Sequence, residues 1–319
     1  MRFAIVGAGA TGGFLGARLA RAGEEVTLIA RGSHLAAMRE RGVTVRSGEE
    51  EFTAHPDATD DLAAIGRAEV VFLTLKAHSI PALAPAIGAA LAPGACVVSA
   101  QNGIPWWYFP DRHLEAVDPG GVIARHIPYP AVVGCIVYPA TRVLEPGLIE
   151  HIEGNRFSLG EPDGSRSARV QAIAAALVEA GLKAPVQTRI RNELWLKLLG
   201  NATLNPISAL THASLEQIVT SVATRDLVRT LMEEVDAVAR ALGIEVALSI
   251  DKRMEGAAAT GAHRTSMLQD LDAGRPLEVE ALLGAVVELA EGAGVPVPSL
   301  RTVYGLTKLL DEVNRQPGG

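Results

Sequence analysis

Cysteine is nearly absent from this chain: 319 residues hold two, Cys96 and Cys135, each inside an apolar run that reads as a strand. That scarcity excludes a disulfide scaffold and leaves two buried thiols in a reducing compartment as the expectation. Long apolar runs are missing too. No stretch approaches the roughly 18 consecutive apolar residues that a membrane helix needs. The opening MRFAIVGAGATGG reaches a glycine loop after one short apolar run, which does not read as a signal peptide. There is no excess of basic charge either. Twenty-nine lysines and arginines stand against 36 acids, a formal net charge of −7, so neither nucleic acid nor an anionic membrane is an expected partner. The 8 histidines are scattered, with no pair four residues apart and no Cys/His cluster, which argues against zinc. A cytoplasmic globular protein of two domains is the expectation.

What the chain does have is alternation. RFAIVG (2–7), EVTLIA (25–30), EVVFLTL (69–75) and ACVVSA (95–100) read as strands, and TGGFLGARLARAG (11–23) reads as a helix. Near-continuous apolar strands separated by helices indicate a parallel sheet covered on both faces. Residues 132–160 change to strands joined by short turns, an expected antiparallel extension at the sheet edge. A helix over about 165–180 and KAPVQT (183–188) follow. Beyond 188 only helical periodicity remains, in RNELWLKLLGNATLNPISALT and over 224–243, 276–294 and 299–314. The fold class is therefore α/β: a Rossmann-type, mostly parallel sheet domain over 1–188, followed by an all-α domain over 189–319. The final RQPGG reads as a frayed end.

The first strand-to-helix turn carries Gly7, Gly9 and Gly12 in G-x-G-x-x-G spacing, with Ala10 and Thr11 between them. The spacing alone is common. Its position in the first βα turn makes it a dinucleotide fingerprint, in which Gly7 permits the turn, Gly9 admits a pyrophosphate and Gly12 lets helix and strand close up. The helix N-terminus then presents unpaired N–H groups to the phosphates. At the end of the second strand, where NAD-binding domains place an acid, this chain has Arg31. A guanidinium cannot accept the ribose hydroxyls but forks onto a 2′-phosphate, which predicts NADP(H) rather than NAD(H). Two further strands end in Lys76 and in Gln101-Asn102-Gly103. Ligands lie at such carboxyl ends, although a solvated lysine and an Asn-Gly turn are ordinary features too.

LWLKLLGNATLNP (194–206) carries Lys197, Asn201 and Asn205 on one narrow stripe of a helix that is otherwise apolar all round. A helix of that composition is buried, so a polar line on it asks for a reason. Asn205, just before Pro206, reads as a helix stop.

These pieces together resemble the ketopantoate reductases (2-dehydropantoate 2-reductases), nearly end to end. The likeness is carried by GAGATGG, ARG after the second strand, LKAH, QNG, WLKLLGNATLNPISAL and RTSMLQDLDAGRPLEVEALLG. The resemblance implies NADPH-dependent reduction of a 2-keto acid to a 2-hydroxy acid in a cleft between the domains. The substrate it implies is 2-dehydropantoate, reduced to pantoate for pantothenate and coenzyme A synthesis. It also implies that Lys197 is the general acid, that Asn201, Ser266 and Glu278 position it and the substrate, and that Asn102 and Lys76 line the cleft from the cofactor side. The chemistry agrees, since hydride addition to a ketone leaves an alkoxide that needs a proton and a nearby positive charge. Snorkelling for Lys197, a helix-dipole role for Glu278 and a capping role for Ser266 are the plainer alternatives.

Two departures fall on substrate recognition. The stretch 104–130 is long for the family and holds Trp106 and Trp107, which could form a lid, a pocket wall, a cover or a subunit contact. THASLE after NPISAL offers no clear substrate-binding asparagine. The runners-up are a reductase of another branched 2-keto or β-keto acid and a non-catalytic NADP(H) sensor. The apolar helices suit a homodimer as well as an intrachain interface.

Overall fold

The computed structural model describes residues 1–315, so the sequence reading of the RQPGG end falls, from 316 onward, outside the described residues. Two compact units emerge. The first takes Met1–Gln101, Trp106–His113 and Gly120–Ile190; the second takes Asn102–Pro105, Leu114–Pro119 and the chain from Arg191 onward. Two short pieces of the long 102–130 stretch thus pack with the helical unit, an exchange that a single boundary in sequence does not express.

Eleven strands form two sheets in the first unit. They are β1 (Arg2–Val6), β2 (Glu25–Ile29), β3 (Val43–Ser47), β4 (Glu50–Ala54), β5 (Asp57–Thr59), β6 (Val70–Leu73), β7 (Cys96–Ser99), β8 (Val132–Val137), β9 (Ala140–Glu145), β10 (Leu148–Glu153) and β11 (Phe157–Gly160). The main sheet has the order β11-β8-β7-β6-β1-β2-β5. It is parallel from β5 to β8, with Phe3 opposite both Val26 and Val70, and only β11 runs antiparallel, Leu159 opposite Cys135. The central strands are apolar because both faces are covered: every residue of β6 and β7 is buried.

The antiparallel extension expected over 132–160 is only partly realised. β8 joins the main sheet in parallel and β11 supplies the antiparallel edge. β9 and β10 leave it for a second sheet of order β4-β3-β10-β9. Burial explains the split, since β9 is exposed over its last four residues and cannot sit inside a covered sheet. Cys96 and Cys135 are buried free thiols, and burial pushes the Cys96 thiol up to about 11.

Strand order reverses at β1, with β2 and β5 on one side and β6, β7 and β8 on the other. That reversal creates a crevice at the carboxyl ends of β1 and β6, the usual ligand position in such sheets.

Helices build the second unit. Ile190–Thr211 is its long element, followed by Leu215–Thr220, Val222–Ala241, Ile250–Ala259, Ser266–Asp272, a π-helical turn Glu280–Gly284, Ala285–Ala293 and Pro298–Arg315. Val222–Ala241 buries Val228, Leu231, Met232, Val235 and Val238, the three- and four-residue spacing of an amphipathic helix. Gly294 ends Ala285–Ala293 in the left-handed conformation. The helix stop predicted at Asn205-Pro206 does not occur: Ile190–Thr211 runs through with Pro206 inside. Proline removes one backbone bond there, but Leu204, Ile207 and Ala209 are all buried, and their burial holds the helical course beyond it.

Candidate active site

In the first unit the site is made of backbone. Helix Ala10–Arg21 starts directly after Gly9 without any side-chain cap, so the first-turn N–H groups of Ala10, Thr11 and Gly12 are left for a ligand. Gly7 has φ +95°, a conformation that favours glycine, and its amide bonds the Ile29 carbonyl at 3.1 Å, which ties the loop to the end of β2. A Cβ on Gly12 would overlap the Thr74 hydroxyl, which itself donates to the Gly7 carbonyl at 2.9 Å. A Cβ on Gly9, by contrast, would meet only the Gly7 carbonyl oxygen at 4.0 Å. Close packing therefore demands glycine at position 12, while the fold leaves open space at position 9. Open space beside bare amides at a sheet's switch point fits a pyrophosphate. The Thr11 hydroxyl lies 3.3 Å from that of Thr141 on β9. Arg31 is exposed at the N-cap of helix Gly32–Arg41, immediately beyond β2. Lys76 is half-buried beyond β6, and the Gln101 side chain bonds the Leu73 carbonyl, joining the ends of β6 and β7.

The site of the second unit is made of side chains. Around Ile190–Thr211, Leu194, Trp195, Leu198, Leu199 and Ala202 are buried, whereas Lys197 and Asn201 are half-buried. The polar stripe is thus the more open side of a buried helix, and Asn205 at its far end is closed in. Lys197 Nζ donates to Asn102 Oδ1 at 2.7 Å, and Asn102 Nδ2 donates to Glu278 Oε2 at 3.3 Å. One carboxamide therefore bridges an ammonium and a carboxylate, and its orientation is fixed by that pair: oxygen to the lysine, nitrogen to the glutamate.

Asn102, which the resemblance implies lines the cleft from the cofactor side together with Lys76, packs with the helical unit, because Gly103 takes φ +82° against the Ala281 carbonyl and the Ile104 amide bonds that same carbonyl at 2.8 Å. Glu278 is 6% exposed, and the peptide before it is held where the Leu277 amide bonds Asp311 at 2.8 Å. Asn201 makes no side-chain hydrogen bond among the described residues. Ser266 is exposed at the first position of Ser266–Asp272; the cap of that helix is Thr265, not Ser266.

Sequence reasoning missed the partners around this line. The guanidinium of Arg253 lies where a Cβ on Gly200 would be, between Lys197 and Asn201 in sequence. Glu280, two residues beyond Glu278, forms a cluster with Tyr304 and Lys308. A cavity of about 460 Å³ lies elsewhere, lined by Trp106, Phe109, Arg112, Arg125 and Tyr129 among others, and holds none of the predicted site residues. Trp107 is 2% exposed and packs on Gly134 of β8, so it serves at least as a cover of the main sheet.

This geometry can be set against known proteins. The family model for ketopantoate reductase PanE/ApbA matches residues 3–164, and the model for the C-terminal part of the same family matches 189–311. The chain belongs to the ketopantoate reductase family. A 2-dehydropantoate 2-reductase of Mesorhizobium japonicum is 45% identical over 318 residues, covering 97% of this chain and 98% of that protein. A second 2-dehydropantoate 2-reductase, from Halobacterium salinarum, is 32% identical over 97% of this chain and 98% of its own. Among solved structures, a candidate ketopantoate reductase from Ralstonia solanacearum superposes with a TM-score of 0.93 at 39% identity, covering 98% of each chain. The α/β sheet unit followed by a helical region is the family's fold. No helix among the described residues is long and apolar enough to cross a membrane.

Proposed function

We propose that this protein is an oxidoreductase that reduces the ketone of a 2-keto acid to the 2-hydroxy acid with NADPH. 2-Dehydropantoate is the proposed substrate and pantoate, the precursor of pantothenate and coenzyme A, the product. The observation that carries this reading is the line Lys197–Asn102–Glu278, an ammonium steered by a carboxamide that a buried carboxylate holds in place.

The amides of the Gly7–Gly12 loop would hold the pyrophosphate of NADPH and Arg31 its 2′-phosphate, and the bound cofactor would supply the hydride that the keto carbon takes up. The chain's own residues manage the rest. Lys197 gives one proton from Nζ to the ketone oxygen as it turns into an alkoxide, so that one hydride and one proton convert ketone to alcohol. Lysine is left neutral and regains its proton from water. The bond to Asn102 Oδ1 keeps the ammonium in one place between turnovers, and Glu278 adds the negative charge that balances it. Asn201 can give or take a hydrogen bond without adding charge, which suits a substrate hydroxyl. Ser266, exposed at the start of its helix, donates to the substrate carboxylate.

The test is steady-state turnover of 2-dehydropantoate against other branched 2-keto acids, following nicotinamide absorbance with NADPH and with NADH. Highest kcat/KM for 2-dehydropantoate with NADPH is the expected result. Faster reduction of another keto acid would move the substrate. Tight NADPH binding with no reduction of any keto acid would sink the enzymatic reading in favour of a sensor.

A further inference from the structure

The π-helical turn at Glu280–Gly284 begins two residues after Glu278. Such turns are rare and recur at functional sites. Here its hydrogen bonding has a specific consequence. In an α-helix the Ala285 amide would bond the carbonyl of Ala281; in this turn it bonds the carbonyl of Glu280 instead. The Ala281 carbonyl is freed, and it accepts the Ile104 amide at 2.8 Å. The loop that carries Asn102 is docked through that bond, with Gly103 too close to Ala281 for any Cβ.

Something must hold the turn in this register. The Glu280 carboxylate folds back over Gly284 and accepts from Tyr304 Oη at 2.8 and 3.1 Å and from Lys308 Nζ at 2.8 Å. Lys308 also donates to Tyr304 Oη at 3.2 Å. The hydrogen bond to Glu280, seconded by that to Tyr304, pushes the Lys308 pKa up, and burial raises that of Tyr304, so the lysine stays an ammonium and the phenol keeps its proton near neutrality. Its side chains are 48% exposed at Lys308 and 39% at Glu280, and ion pairs this open add little to stability. A stabilising role does not account for three mutually bonded side chains.

We propose that Glu280, clamped by Tyr304 and Lys308, fixes the π register and thereby positions Asn102 for Lys197. The three act as positioning residues and touch neither substrate nor cofactor. The inference rests on the reading of Lys197 as proton donor given above.

Tyr304→Phe and Glu280→Gln loosen the clamp conservatively. Gly284→Ala evicts the carboxylate from its seat while improving helix propensity. Each should lower kcat by roughly 10- to 100-fold, the size of a misplacement near 1 Å, with the KM for NADPH unchanged. Glu280→Gln, which keeps an acceptor, should retain more activity than Glu280→Ala. In an Asn102→Ala background none should cost anything further, because the loss runs through Asn102. Wild-type kcat in the single variants, or losses that multiply with Asn102→Ala, would overturn the proposal. Hydrogen exchange at the Ile104 amide reads the register without turnover: faster exchange in Gly284→Ala supports the coupling, and unchanged exchange refutes it. If the wild-type protein reduces no keto acid, the proposed function fails while this exchange measurement still decides the register.

Discussion

The two units offer ligands different kinds of atoms. In the first, the candidate groups are main-chain amides at the head of Ala10–Arg21, exposed by glycines that differ in what they are for: Gly12 is required by packing and Gly9 is not. In the second, the candidate groups are side chains from three places in the chain, Asn102, Lys197 and Glu278, joined by two hydrogen bonds. A backbone site depends on where side chains are absent, so it tolerates much variation around the glycines. A side-chain site depends on atoms being present and aimed, so it is lost by single truncations. The contrast predicts that changes in the second unit act on turnover and changes in the first act on cofactor affinity.

The largest expected effect breaks the second unit alone. Lys197→Ala should lower kcat by about 10²–10⁴, the usual worth of a positioned acid. NADPH affinity, read by fluorescence of the bound cofactor, should stay within a few-fold of wild type. Equal loss of both would mean that the lysine supports the fold or the cofactor and not the proton transfer.

Arg31→Asp addresses the first unit. A charge-assisted bond to phosphate is worth about 1.5–3 kcal/mol, so NADPH binding should weaken roughly 10- to 100-fold while NADH binding holds or improves. Unchanged preference between the two cofactors would remove Arg31 from the site. A smaller effect separates ligand from packing within the same loop. Gly9→Ala should weaken NADPH binding by about tenfold, the loss of one or two hydrogen bonds, without moving the thermal midpoint. Gly12→Ala should instead destabilise the unit by about 1–3 kcal/mol through overpacking against Thr74. If both variants unfold alike, Gly9 is a folding residue after all.

How much of this was legible follows the same division. Strands such as Val70–Leu73 are visible in sequence because burial on both faces makes them unbroken apolar runs. β3 and β4 escaped because Thr44, Arg46, Glu50 and Glu51 make them polar, and because β3, besides its hairpin partner β4, pairs with β10 a hundred residues away. The Lys197–Asn201 stripe was readable because an ammonium is out of place on an apolar helix. The π turn was not, since EALLG continues the apolar periodicity of its helix and the shift lies only in which carbonyl takes the Ala285 amide. Nor was the packing of Asn102 with the helical unit, which hangs on Gly103 meeting Ala281, far along the chain. Asn205-Pro206 misled for a related reason: local propensity signals a stop, and burial on both sides overrides it.

The smallest effect sharpens the comparison through stability. Both cysteines lie in the sheet of the first unit and none in the second, so a thiol reports on one unit alone. Burial raises the Cys96 pKa from 9.0 to about 11. A folded-state pKa above the unfolded one means that the folded protein holds the proton more tightly. The stabilisation is complete below about pH 9 and is lost as pH rises through about 11, because the unfolded chain then gains a thiolate that the folded sheet refuses. A rise of that size corresponds to at most about 2–3 kcal/mol. Cys96→Ala should therefore be less stable than wild type at pH 7, from lost burial, yet should lose less in going from about pH 8.5 to about 10.5 when denaturant unfolding is followed at each pH. Parallel pH curves for the two proteins would show that Cys96 ionises alike in both states. A difference confined to the transition of the first unit would show that the two units, unlike in how they meet ligands, also unfold as separate cooperative bodies.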